Sequence, residues 1–195
     1  MNKRTFITAA LALLLTGCSG GWTSEEKRTI GSEGELLRVL TVDNPEDEEV
    51  LRQQCTDLQP GMIDSELYRT LAEKMVATVT SPEQDGVGIA GPQVGILRRI
   101  VAVLRYDREG EPFEVYPNIR ITDFHGEKEY GPEGCLSVPG KRGDVARYQE
   151  ITISYTDPVT LRDTSERISG FTAVIFQHEC DHLDGILYTD RMSSR

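Results

Sequence analysis

Apolar residues recur at every fourth position from Leu67 through Leu71 and Met75 to Val79. That spacing puts all four on one face of a helix. Asp64 or Ser65 can cap its start, and Pro82 stops it. The next stretch, DGVGIAGPQVG (85–95), holds too much glycine for a helix and reads as a loop with tight backbone geometry. Beyond it RIVAVLR (99–105), FEVYPNIRI (113–121) and EITISYT (150–156) carry β-branched residues in partial alternation, which predicts strands. TDPVTLRD reads as a turn into a further strand near 166–168, and a closing helix runs from residue 171 or 172 to 183, with Gly185 suited to its C-terminal cap. Upstream, residues 36–40 predict a short edge strand and DNPEDEE (43–49) an acidic turn. Strands followed by a late helix, without βαβ alternation, predict an α+β fold.

A chain of 195 residues suits one domain with a real core, and its 38% hydrophobic and 27% charged content is that of an ordinary globular protein. A formal net charge of −11 argues against nucleic-acid binding by phosphate neutralisation. The first residues change the picture. Lys3 and Arg4 are followed by an apolar run over 5–15, too short to span a bilayer well, and then by small residues. Leu15-Thr16-Gly17-Cys18 resembles a bacterial lipobox, in which the cysteine is lipidated and becomes the new first residue. This predicts a lipoprotein signal over 1–17, the alternatives being an ordinary signal peptide or a short membrane anchor. Residues 18–34, rich in Gly, Ser and charge, read as a flexible tether to a domain over 35–195. Of the four cysteines, Cys18 then has its own use, and an odd three remain, which disfavours a disulfide framework.

The chemistry concentrates in QHECDH (177–182), which holds two of the three histidines in the chain. His178 and His182 lie four apart, on one face of a helix, so both can reach one ion, and Glu179 then sits where a base beside metal-bound water belongs. A catalytic site needs a third protein ligand. The longer protease motif His-Glu-x-x-His-x-x-Gly-x-x-His fits through Gly185 and ends on Tyr188, with no His or Glu following, so the ligand must come from upstream. Cys180 is two residues along the helix, about 200° around it, and faces a core. Cys55 is isolated. Cys135, in EGCLSVPG, lies in a glycine-flanked loop that can bring sulfur close to an ion, leaving a fourth position open. The third histidine, His125, reads as a loop residue without a metal role, and Asp181, on a different face from both ligands, as a surface or structural ion-pairing group or a partner of the site.

Taken together, GVGIAGPQ (86–93), EGCLS (133–137) and QHECDH (177–182) resemble the three motifs of peptide deformylases, in family order and across the whole of residues 35–195. The resemblance implies antiparallel β-sheets packed around a central C-terminal helix carrying the histidine motif, plus an N-terminal helix. It implies removal of the formyl group from N-formylmethionyl peptides, a step of protein biosynthesis, with Fe²⁺ as the usual metal and Zn²⁺ or another divalent ion as an alternative. Glu179 is then the proton shuttle, and the Leu136 backbone N–H and the Gln93 amide are donors to the formyl oxygen. Gly88 would let substrate backbone lie close. Phe171, Val174 and Ile175, on the stripe of His178, would wall a methionine pocket that Val87 closes, or belong simply to the core, and Arg142 would touch substrate backbone. The family commonly has Ala-Ala-Pro-Gln where this chain has Ala90-Gly91-Pro92-Gln93, a change expected to add flexibility to the loop.

One strain remains. Deformylation ordinarily acts on nascent chains inside the cell, whereas a lipidated Cys18 makes this an exported, membrane-anchored protein. Either exported formyl peptides are the substrate, or the true start lies further along and the enzyme is cytoplasmic, or the domain is an inactive module binding formyl peptides or metal. The intact Glu179 speaks against the last.

Overall fold

A computed structural model describes residues 20–192. Residues 1–17 and Cys18, on which the signal and lipidation readings fall, lie outside the described residues.

Two three-stranded antiparallel sheets build the molecule. The first joins β1 (Gly88–Ala90), β2 (Ile100–Leu104) and β3 (Phe113–Pro117), with β2 in the middle. Successive side chains of a strand point to opposite faces, and β2 is apolar on both because both faces are covered. Ile100 and Ala102 pack towards a helix over Glu66–Val79, while Val101 and Val103 pack towards one over Phe171–Leu183. The second sheet joins β4 (Arg120–Cys135), β5 (Val138–Thr156) and β6 (Asp163–Ser169). It closes over the other side of the C-terminal helix through Ile151, Ile153 and Ile168, all with no exposed surface. The expected α+β arrangement around a central C-terminal helix is what the chain adopts.

The helices in chain order are α1 (Ser24–Ile30), α2 (Pro45–Leu51), the single turn α3 (Pro60–Ile63), α4 (Glu66–Val79) and α5 (Phe171–Leu183). In α4 the four-residue stripe works as expected: Leu71, Met75 and Val79 are wholly buried, Leu67 packs against the same core, and the Ser65 hydroxyl caps the first turn through Tyr68 N–H.

Several expectations give way. The flexible tether over 18–34 is, from Trp22 on, part of the fold. Thr23 and Glu26 form a capping box that starts α1, and its Ile30 is fully buried beside Leu71 and Met75. Trp22 Nε1 donates to Ser65 Oγ at 3.1 Å, and Glu26 takes two bonds from Arg98, at 2.5 and 3.1 Å. Seven residues show too little periodicity to announce a helix that tertiary contacts hold. Residues 36–40 belong to no strand; Leu37 N–H donates to Thr78 Oγ1 and Leu40 N–H to the Gln93 carbonyl. The acidic turn is α2, with Asn44 as cap, Pro45 in the first turn and three acids at its positive end. The glycine-rich loop is β1 followed by a 3-10 turn over Gly91–Val94. The strand expected over 113–121 breaks after Pro117, where Asn118 takes φ +57°, and His125 lies in β4 rather than a loop.

Gly91 also departs from expectation. A Cβ there would meet the carbonyl oxygens of Ile96 and Arg98 at 2.6 and 2.7 Å. The missing methyl makes room for a tighter turn and does not loosen it.

If α1 is part of the core, Ile30→Ala should lower unfolding free energy by about 2–5 kcal/mol, the usual cost of such a truncation. Urea denaturation checks this, and an unchanged midpoint would restore the tether.

Candidate metal centre

Helix α5 is buried on nearly every side, so its polar residues must find partners inside the protein. Its rotation is set by Gln177, whose amide donates to the Tyr148 carbonyl at 2.7 Å and accepts from Tyr148 N–H at 3.1 Å, a two-way bond to the backbone of β5. With that rotation, Cys180 turns into the core among Phe176 and Leu183, as its spacing requires. His178, Glu179 and His182 turn towards β1 and the β4–β5 hairpin.

That hairpin reverses at Leu136 and Ser137, with Cys135 paired to Val138 across the turn. Cys135 therefore sits at a rigid tip. Its Sγ lies 3.2 Å from His182 Nε2, and one ligand atom each from Cys135, His178 and His182 fall within 4.8 Å of one another. The donor set, one sulfur and two imidazole nitrogens, suits Zn²⁺ or Fe²⁺. Burial pushes His182 well below the usual histidine range, and the neighbouring His178 adds to it, which leaves a neutral imidazole with a lone pair to give.

His178 is oriented by a residue that spacing did not single out. Its Nδ1 lies 2.8 Å from Glu133 Oε2, which turns Nε2 to the site, as outer-shell carboxylates do for metal-bound histidines. Burial would raise the Glu133 carboxyl, but bonds from His178 and Arg147 outweigh it and hold the group down at about 2. Asp181 is a structural ion-pairing residue; it is buried, with Arg147 Nη1 at 2.5 Å. The signal in the sequence was a carboxylate two residues before Cys135, but a bulge between Glu133 and Cys135 decides which way it points.

Glu179 is 4% exposed, and its Oε2 has no hydrogen-bond partner. Burial raises its carboxyl to about 7. Its Oε1 lies so near Gly88 that a Cβ there would meet it at 2.5 Å, so the glycine admits this carboxylate as well as any substrate backbone. Gln93 is buried in the 3-10 turn: Oε1 accepts from Ala90 N–H at 2.8 Å, while Nε2 reaches Ser137 Oγ at 3.2 Å and Cys135 Sγ at 3.6 Å. One end of the amide packs the loop, and the other faces the centre.

A cleft of about 750 Å³ opens beside these groups. Val87, Gly88 and Gln93 form one wall, and Cys135, Leu136 and Arg142 line it from the hairpin. Phe171, Val174, Ile175, His178 and Glu179 line it from α5. His182 stands behind, 1% exposed. Ile175 is 3% exposed and belongs to the core as well, whereas Phe171 is 53% exposed and stands at the rim beside Tyr106.

A family model described as polypeptide deformylase matches residues 36–195. The chain belongs to this family. A peptide deformylase of Leptospira biflexa is 37% identical over 166 residues, covering 82% of this chain and 89% of that protein. Among solved structures, an actinonin-bound class I type b peptide deformylase from Acinetobacter baumannii matches with TM-score 0.71 at 34% identity, over 81% of this chain and 99% of that one. A Met-Ala-Ser-bound structure from the same organism matches with TM-score 0.71 at 33% identity, over 80% and 98%. The family uses a catalytic divalent metal, and the buried, unpartnered Glu179 Oε2 and the converging Cys135, His178 and His182 fit one here. Matched residues begin at 36, so α1 lies outside the family domain.

Glu133→Gln, which keeps the shape and loses the charge, should weaken metal binding by about 10–100-fold. Competition against a chelator measures it, and unaltered affinity would remove Glu133 from the centre.

Proposed function

We propose that this chain is a metal-dependent peptide deformylase, hydrolysing the formyl C–N bond of N-formylmethionyl peptides. The observation that carries this reading is a buried carboxylate without a partner, Glu179, next to three convergent ligands and facing an open cleft. A module that only binds formyl peptides or metal has no use for that base.

Cys135, His178 and His182 would hold the ion, Fe²⁺ in this proposal with Zn²⁺ as the alternative, and it would supply an activated water at neutral pH. The residues do the rest. Glu179 would take a proton from the attacking water and hand it to the departing amine; a carboxyl raised by burial is suited to both halves of that transfer. The Gln93 amide and the Leu136 backbone N–H would donate to the formyl oxygen as charge gathers there, and preorganised donors of this kind are worth roughly 3–4 kcal/mol each. Val87, Val174, Ile175 and Phe171 would receive the methionine side chain, an apolar and unbranched group. Gly88 and Arg142 would lie along the peptide backbone. The Met-Ala-Ser peptide bound to the Acinetobacter baumannii relative supports a peptide substrate in this cleft.

The location is a separate proposal. The basic, apolar and small-residue start, ending in Leu-Thr-Gly-Cys, supports an exported protein lipidated on Cys18. Trp22 is already docked on Ser65, only four residues from Cys18. At about 3.3–3.6 Å per residue, those four span at most about 14 Å, so an anchored domain would ride close against the bilayer. No helix among the described residues is long and apolar enough to cross a membrane.

Glu179→Ala should retain about one metal per chain while amine release from a formyl-Met tripeptide falls by about 10²–10⁴-fold. In the parent, kcat/KM should fall with acid as Glu179 protonates, with a midpoint at or below about 7 because a bound cation pulls the carboxyl down from its metal-free value. Turnover undiminished in Glu179→Ala would end the mechanism. For the anchor, Cys18→Ser should move the protein from the membrane fraction to the soluble fraction on detergent-free fractionation; no redistribution would count against lipidation.

A further inference from the structure

The outer support of the metal centre does not stop at Glu133. Arg147 grips Glu133 with two nitrogens, Nε to Oε1 at 2.8 Å and Nη2 to Oε2 at 3.1 Å. Its third nitrogen, Nη1, donates to Asp181 Oδ2 at 2.5 Å. Asp181 is in turn held from its other side by Arg191, Nε to Oδ2 at 2.5 Å and Nη2 to Oδ1 at 2.6 Å. An unbroken series of charged contacts thus runs from His178 to Arg191, which is 42% exposed and stands in the last described turn of the chain.

The charges along it alternate. Two carboxylates, Glu133 and Asp181, are matched by two guanidiniums, Arg147 and Arg191. Without Arg191, both carboxylates would compete for the one guanidinium of Arg147, and a buried charge left without its partner is costly. The cheapest relief is for Arg147 to swing towards Asp181 and loosen its two-point grip on Glu133. Glu133 is the group that occupies Nδ1 of His178. The same segment touches His178 directly, for the ring of the buried Tyr188 stacks on it, centroids 6.0 Å apart and planes 24° apart.

We propose that Arg191 is a positioning residue for the metal centre, acting through Asp181, Arg147 and Glu133 to keep Nε2 of His178 turned to the ion. The proposal relies on Cys135, His178 and His182 being metal ligands, but not on the reaction they serve.

The test separates positioning from mere tethering, because Arg52 also ties this segment down, through Asp190, without joining the series. The full chain and its Arg191→Ala, Arg191→Lys and Arg52→Ala variants are titrated with Co²⁺ against a competing chelator, and the absorption of the Cys135 thiolate–cobalt bond is recorded. Arg191→Ala should bind Co²⁺ about tenfold more weakly, at the low end of what outer partners cost, with a shifted thiolate band. Arg191→Lys, which keeps the charge, should recover most of the affinity, and Arg52→Ala should match the parent in both readouts. Parent-like affinity and spectrum in Arg191→Ala would overturn the proposal, as would an equal loss in Arg52→Ala. Should Arg191→Ala fail to fold, by circular dichroism, Arg191→Gln keeps the stem without the charge and carries the same comparison. If the parent binds no cobalt, the metal centre itself is refuted and the proposal falls with it.

Discussion

Helix α5 has to be buried on nearly every side while carrying His178, Glu179, Asp181 and His182 through the middle of the protein. Burying polar groups without partners costs roughly 2–7 kcal/mol each, so the surrounding architecture is a set of answers to that cost. Asp181 is met by two arginines, His178 by Glu133, and Gln177 by the backbone of β5. Glu179 is met by none of these: Gly88 makes space for it and its second oxygen has no hydrogen-bond partner, as is also true of Nδ1 of His182. A buried carboxylate left without a partner at the edge of an open cleft is suited to exchange protons, and Glu179 is the residue proposed to carry the proton.

The partners for α5 come mostly from one long hairpin. β4 and β5, 16 and 19 residues long, deliver Glu133, Cys135, Arg147 and Tyr148 to the helix from two strands that share a register. Three register shifts interrupt the pairing, and the last, between Glu133 and Cys135, lets a carboxylate and a thiol so close in sequence both address the same histidine pair. The glycine-rich turn on the opposite wall is equally constrained. Gly91 admits two carbonyls where a Cβ would not fit, and Gln93 can face Cys135 because its other end is locked to Ala90. The stiffness of that turn is reinforced from outside the family domain, since Arg98, whose carbonyl presses on Gly91, is held through its side chain by Glu26 of α1.

How much could be read beforehand follows from the range of each interaction. Elements whose own periodicity matches their burial were legible: α4 with its four-residue stripe, β2 as an apolar run, and α5 with both histidines and the acid on known faces. Elements held by partners distant in sequence were not. α1 is short and polar in composition, and only Ser65, Arg98 and the α4 core make it a helix of this fold. Much of β4 and of the first half of β5 is exposed and bulged, so alternation is absent where pairing is most extensive.

The same division holds in the site. Sequence alone singled out the candidate ligands and base, because the four-residue helical repeat of His178 and His182 with Glu179, and a cysteine in a glycine-flanked stretch at Cys135, are each visible without knowing what surrounds them. Only the tertiary structure decided which side chains orient those ligands. Glu133, Arg147, Asp181, Tyr188 and Arg191 come from both strands of the hairpin, the helix and the last described turn. Their bearing on His178 arises from distances across the folded chain and from the need to balance charge where water is excluded.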